Sequence, residues 1–137
     1  FDHPWDNQAH IPDVTIIALG ANDASVLDEL RKGSAAYEEF LSNFKQAYLN
    51  FIDKIRGAYP DALIVISDEI IPFNQTLYEK IDEVYEMRKG EKVIRAKYDA
   101  YSKAKDRTLP GAGHPNEEMQ KIAGEELASL IKESLNP

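Results

Sequence analysis

Short runs of consecutive hydrophobic residues alternate along this chain with longer stretches in which hydrophobic residues recur every three or four positions. Residues 14–19 and 62–66 are continuous apolar runs rich in β-branched side chains, as in parallel strands that helices cover on both faces. Residues 92–98 carry charges within the run, a pattern typical of an edge strand. We therefore predict two central strands and one edge strand, with no internal repeat.

Three segments have the helical period. The strongest spans residues 37–55 and ends before Gly57, the second runs from about 75 to 88, and the third begins at Pro115. Their predicted inward faces are Tyr37, Phe40, Leu41, Phe44, Tyr48, Phe51, Ile52 and Ile55, then Leu77, Ile81, Val84 and Tyr85, then Met119, Ile122, Ala123, Leu127, Leu130 and Ile131. The order βαβαβα predicts an α/β fold with a parallel sheet.

Composition narrows the range of partners. The 137 residues are 43% hydrophobic and 29% charged, which describes one globular unit. A net charge of -8 argues against a nucleic acid or an anionic membrane as the main partner, and leaves neutral sugars or small esters compatible. Without cysteine, the chain offers no disulfide, thiolate nucleophile or zinc-thiolate site. It opens with Phe1 and shows no signal-peptide pattern, so we expect a trimmed or cleaved chain.

A polar block, Gly-Ala-Asn-Asp at residues 20–23, directly follows the first predicted strand. Ligands of parallel sheets bind outside the carboxyl ends of the strands, where this block lies. Gly20 would allow a sharp turn close to a substrate, and the Asn22 amide could donate to an oxygen that becomes negative, in an oxyanion hole. The alternative is a simple polar turn, because these residue types favour turns.

The second candidate is His114, which follows a Gly-rich segment at residues 110–113 and precedes Pro115. The proline favours an extended backbone at His114, and a neutral imidazole can take a proton from a serine hydroxyl. A surface histidine near a helix start is the alternative. The seven serines, none of them in a Gly-Asp-Ser or G-x-S-x-G context, are Ser25, Ser34, Ser42, Ser67, Ser102, Ser129 and Ser134.

Together the two blocks resemble the SGNH (GDSL-type) hydrolases. Residues 20–23 resemble the G-x-N-D block of that family, and residues 114–116, His-Pro-Asn, resemble the block with its catalytic histidine. Residues 12–23 look most like the carbohydrate esterases of acetyl xylan esterase type, which deacetylate plant polysaccharides. The resemblance implies a three-layer α/β/α, flavodoxin-like fold, with residues 1–137 as the C-terminal part of one domain whose first strands are missing.

The same resemblance implies the site. Asn22 and His114 would be catalytic, Gly20 and Asp23 would contact substrate, and Trp5 would stack on a sugar ring unless it is a packing anchor. No metal or other cofactor is expected. The implied reaction removes acetyl or other short acyl groups from a polysaccharide or a small ester, and the implied location is secreted or cell-surface.

Two departures from the family pattern limit these expectations. The family's nucleophilic serine has no counterpart here, so we expect an upstream segment to supply it and this chain alone to be inactive. Most members carry an aspartate where this chain has Gly111, so a backbone carbonyl or another carboxylate would have to orient His114. Two alternatives remain open: a non-catalytic carbohydrate-binding or structural module, and a lipase or thioesterase of the same fold.

Overall fold

The structure is a computed structural model that describes residues 6–136. Its elements are β1 (Val14–Ile17), α1 (Ala21–Glu29), α2 (Ala35–Ala58), β2 (Leu63–Ser67), α3 (Gln75–Arg88), β3 (Val93–Ala96), α4 (Ala100–Lys103), α5 (Pro110–Gly113) and α6 (Glu117–Leu135). The three strands form a parallel sheet in the order β1-β2-β3, in which Val65 pairs with Ile16 on one side and Ile94 on the other. The predicted parallel α/β architecture is confirmed.

Side-chain caps fix where the three long helices begin. The Ser34 hydroxyl accepts from the Tyr37 amide at the start of α2, and the Asn74 side chain caps α3, which has the predicted bounds. The Asn116 side chain accepts from the Met119 amide at 3.0 Å, so α6 begins at Glu117. The prediction that this helix begins at Pro115 was wrong by two residues, because Asn116 is the cap.

Alternate residues of β2 face opposite layers, and the whole strand is buried. Ile64 and Ile66 pack against α1, α2 and α3 in one core cluster, while Leu63 and Val65 pack against α6 in the other. Helices therefore cover both faces of the sheet. This arrangement confirms the three-layer α/β/α fold and explains why the central strand has no polar alternation.

Some elements differ from the sequence prediction. Residues 20–23, predicted as a turn, lead directly into helix α1, which was missed because only Ala24 and Leu27 of its nine residues are buried. The short helix α4 was missed as well, so the order βαβαβα is incomplete, whereas α5 is a single turn with non-helical angles at Gly111 and Ala112, in keeping with the predicted Gly-rich loop. Phe51, predicted to face inward from α2, is 42% exposed.

The two edges of the described sheet are different. β3 is an edge strand, as predicted, although Arg95 is only 7% exposed and binds Asp68 and Asp82 instead of facing solvent. β1, predicted as a central strand of a larger sheet, lies at the other edge, where Ile16 is 48% exposed. Leu19, just beyond the strand, is 50% exposed. β1 therefore presents an apolar edge.

One arginine holds the amino end of the sheet together. The Arg56 guanidinium donates to the carbonyl oxygens of Pro60 at 2.9 Å and Ala62 at 2.7 Å, just before β2 begins. It also donates to those of Glu91 at 2.6 Å and Lys92 at 3.3 Å, just before β3 begins. The end of α2 and the entries to two strands are thus tied to one side chain.

Among residues 6–136, no helix is both long and apolar enough to cross a membrane.

Candidate active site

Gly20 connects the carboxyl end of β1 to helix α1. Its φ of 128° lies in a region that L side chains rarely adopt, and its carbonyl accepts from the Ala24 amide at 2.9 Å. A Cβ atom at this position would lie 3.2 Å from Phe73 Cζ and 3.5 Å from Phe44 Cζ. Glycine is therefore favoured here on two grounds, the backbone angle and the nearby rings of Phe73 and Phe44.

His114 lies on a tightly wound loop that leads into α6. Gly111, Ala112 and Gly113 all have positive φ, and the His114 amide donates to the Gly111 carbonyl at 3.2 Å. The backbone of His114 is extended, with φ of -75° and ψ of 154°, as expected for a residue before proline. The exposed imidazole of His114 makes no hydrogen bond within residues 6–136, so none of these residues orients the ring.

The structure brings the two sequence blocks to one surface. A depression of about 260 Å³, which we call the His114 depression, is lined by Ala21, by residues 69–73 and by residues 112–115. Asn22 and His114 were predicted to converge at the carboxyl end of the sheet; Ala21 and His114 line this depression, but Asn22 is not among its lining residues. Asn22, the residue after Ala21, is exposed on the first turn of α1.

The other predicted site residues lie apart from this depression or outside the described residues. Asp23 is half-buried and faces a separate cavity of about 150 Å³, which Leu19 and Phe51 also line. Trp5 lies outside the described residues. Among residues 6–136, no three His, Asp or Glu side chains lie close enough together to hold a metal ion. The catalytic and substrate-binding assignments stay predictions.

Glu69 was not singled out from the sequence, although it lines the His114 depression. Burial raises the pKa of its carboxyl group. The signal that could have found it is topological: residues 68–69 follow the carboxyl end of β2, just as residues 20–23 follow that of β1.

The two residues before Glu69 are structural. Ser67 is 1% exposed, and its hydroxyl is hydrogen-bonded at 2.8 Å both to the Asp68 carbonyl and to the Tyr98 hydroxyl. The Asp68 carboxylate binds the Arg95 guanidinium, but burial raises the pKa of Asp68 more than this cation lowers it. Ser67 is thus a packing residue at the end of β2, and its burial does not favour a role as nucleophile.

The described chain is a parallel sheet between two layers of helices, with the His114 loop entering the last helix. No family model matches this sequence. No curated protein matches it either. Solved structures of family two carbohydrate esterases do match it, so the chain has the fold of those enzymes, and the resemblance to carbohydrate esterases predicted from the sequence is confirmed.

Three of these solved structures illustrate the similarity. An active-site mutant of a family two carbohydrate esterase from Clostridium thermocellum superimposes with a TM-score of 0.73 at 26% identity, and covers 96% of this chain. A second structure from the same organism, in complex with cellohexaose, gives 0.71 at 24% identity over 96% of this chain. An acetyl xylan esterase from the rumen bacterium Butyrivibrio proteoclasticus gives 0.70 at 20% identity, again over 96%. This chain spans 38%, 38% and 39% of those chains, respectively.

Proposed function

We propose that this chain supplies the general base and the oxyanion-stabilising part of a serine esterase that removes acetyl groups from a carbohydrate. The observation that carries the proposal is the shared depression at the carboxyl end of the sheet, where Ala21 of the 20–23 block and the His114 loop meet. The similarity of the fold to family two carbohydrate esterases supports the reaction class.

Each group has a defined step in this proposal. His114 takes the proton from a serine hydroxyl as the serine oxygen attacks the acetyl carbon, and then gives that proton to the departing sugar alcohol. Water, activated by the same imidazole, hydrolyses the acetyl-serine to acetate and restores the enzyme. The Asn22 amide and backbone amides of the first turn of α1 stabilise the negative oxygen of each tetrahedral intermediate.

The start of α1 supports that last role. Its N-cap is Gly20, which has no side chain to accept from the first amides of the helix, and no side-chain cap is present. These amides lie beside the carboxyl end of β1, next to the His114 depression that Ala21 lines. Donors that are already oriented toward the developing charge are the ones that accelerate acyl transfer most.

The serine in this proposal comes from a further segment of the full-length protein. The chain spans about 38% of the solved esterases that it matches, and the edge of β1 carries the exposed side chains Ile16 and Leu19. A strand added to this edge would satisfy the free backbone groups of β1 and cover apolar surface. We place the full-length protein outside the cell or at its surface, where an acetylated polysaccharide is accessible.

A second candidate function is carbohydrate binding without hydrolysis. The similarity to an esterase solved in complex with cellohexaose favours it, because the same depression would then hold a sugar and need no nucleophile. The two functions differ in one observable: an esterase releases acetate, and a binding module retains the sugar unchanged.

The test uses the full-length protein with 4-nitrophenyl acetate and an acetylated xylo-oligosaccharide. Substituting His114 by Ala should lower kcat at least about a hundredfold, the range expected for loss of a general base. His10→Ala is the matched control, because His10 is also exposed but does not line the depression, and its turnover should equal that of the wild type. Full turnover in His114→Ala would refute the assignment, and sugar binding with no acetate release by the wild type would establish the binding module.

A further inference from the structure

Glu69 and Asp68 are neighbours in sequence with opposite surroundings. The Asp68 carboxylate binds the Arg95 guanidinium and is held in place by it. The Glu69 carboxylate makes no ion pair and no hydrogen bond within residues 6–136, although the residue is half-buried. A half-buried carboxylate without a partner costs free energy, so stability does not explain why this acid is present.

The surroundings of Glu69 indicate what it could bind. It adjoins the apolar residues 70–73, and His114 lines the same depression. Among the residues lining the depression, Glu69 and His114 are the only ones with titratable side chains. An apolar wall beside a single carboxylate suits a sugar, whose ring carries both C–H groups and hydroxyl donors.

Aromatic packing fixes one end of this wall. The rings of Phe73 and Tyr78 stack with their centroids 4.3 Å apart. Burial, together with the negative charges of Asp68 and Glu69, raises the pKa of Tyr78 to about 12. The Tyr78 hydroxyl is therefore neutral at pH 7. The packing of Phe73 thus holds one end of the segment that carries Glu69.

We propose that the Glu69 carboxylate accepts hydrogen bonds from hydroxyl groups of the sugar that carries the acetyl ester, and thereby selects carbohydrate esters over simple esters. This inference rests on the proposed function, since it assigns a specificity-determining residue to the same depression. A carboxylate can accept two hydroxyl hydrogen bonds, and charged acceptors form stronger ones than neutral acceptors do. The bound sugar would supply the partner that Glu69 lacks.

The effect of Glu69 on stability has a definite sign. Burial raises the pKa of Glu69, so folding favours its protonated form, and ionisation weakens folding as the pH rises through the usual carboxyl range. At pH 7, Glu69→Gln removes this ionised group and keeps the shape of the side chain. The variant should therefore unfold at the same temperature as the wild type or at a higher one.

The experiment compares full-length wild type, Glu69→Gln and the control Glu125→Gln, whose glutamate is exposed on α6 far along the chain from the depression. Calorimetric titration with cellohexaose should show at least about a tenfold loss of affinity in Glu69→Gln only, the effect of losing one charged hydrogen bond. The kcat/KM for an acetylated xylo-oligosaccharide should fall by a similar factor, while that for 4-nitrophenyl acetate should stay within about twofold. Glu69→Asp, which keeps the charge, should recover part of the loss.

Several outcomes would overturn the inference. Equal losses for both esters with unchanged sugar affinity would mean that Glu69 acts through His114, and no change in any measurement would mean that it has no role in the site. The sugar titration does not depend on hydrolysis. If the wild type binds the sugar but releases no acetate, the proposed esterase function fails, while the affinity of Glu69→Gln still decides the role of Glu69. A wild type that does neither refutes both.

Discussion

Replacing Gly20 by Ala tests whether the geometry at the end of β1 is obligatory. A non-glycine residue at φ of 128° costs about 1–3 kcal/mol of backbone strain. The added methyl group lies 3.2 Å from Phe73 Cζ and 3.5 Å from Phe44 Cζ, so at least one ring must shift, at about 1 kcal/mol more. Alanine also restricts the unfolded chain, which offsets about 0.4–1 kcal/mol. The expected loss of unfolding free energy is therefore about 1–4 kcal/mol.

Gly124→Ala is the matched control. Gly124 lies inside α6, and a Cβ there would meet no atom within 4 Å. Alanine is a better helix former than glycine, so this substitution should raise the unfolding free energy by about 0.5–1 kcal/mol. The same chemical change thus has opposite expected signs at two positions of one chain.

Urea unfolding of the full-length protein, followed by circular dichroism, measures both changes. Gly20→Ala should unfold at a lower urea concentration than the wild type with a similar slope, and Gly124→Ala at a higher one. Any folded Gly20→Ala protein should also lose turnover on 4-nitrophenyl acetate, because the first turn of α1 is displaced. A Gly20→Ala protein as stable as Gly124→Ala would refute the reasoning from backbone geometry and ring contact.

Three other substitutions test the site and its support. Asn22→Ala should lower kcat on 4-nitrophenyl acetate about a hundredfold to a thousandfold with little change in KM, and an effect confined to KM would contradict an oxyanion role. Asp68→Asn should lower the unfolding free energy by about 2 kcal/mol in urea, because the buried Arg95 guanidinium loses a charged partner. An unchanged midpoint would show that its other acceptors, the Asp82 carboxylate and the Ile66 and Ala96 carbonyls, suffice. Tyr48→Phe should leave the unfolding free energy unchanged or raise it by up to about 1 kcal/mol, since the buried Tyr48 hydroxyl has no hydrogen-bond partner within residues 6–136. A clear decrease would show that the hydroxyl has a partner outside those residues.

Much of the fold follows from local patterns in the sequence. The continuous apolar run of β2 predicted a strand covered on both faces, and the apolar stripe of α3 predicted a helix with the observed bounds. Helix α1 could not be predicted in this way, because it contacts the core through two residues and begins at a glycine held by rings that are distant in sequence. Its existence depends on tertiary packing.

Sheet topology alone predicted which segments of the chain meet at the candidate site. Residues 20–23 follow one strand and His114 enters the last helix, so a parallel sheet brings both to its carboxyl edge, and the structure places Ala21 and His114 at one depression. Glu69 could not be distinguished from Asp68 by sequence, since both are acids after the same strand. Only the packing shows that Arg95 forms an ion pair with Asp68, whereas Glu69 lines the depression.

Because Arg56 binds the loops at the amino end of the sheet, we expect that end to tolerate substitution less well than the carboxyl end. The fork of donors on Arg56 serves five carbonyls, those of Tyr59, Pro60, Ala62, Glu91 and Lys92, on two chain segments at once, a geometry that the single ammonium of lysine cannot reproduce. The loops at the amino end are therefore constrained through one side chain, while the loops at the carboxyl end can exchange residues without disturbing it. A library randomised at 69–72 should thus yield many folded variants with altered ligand preference, whereas one randomised at Arg56 should retain arginine almost exclusively.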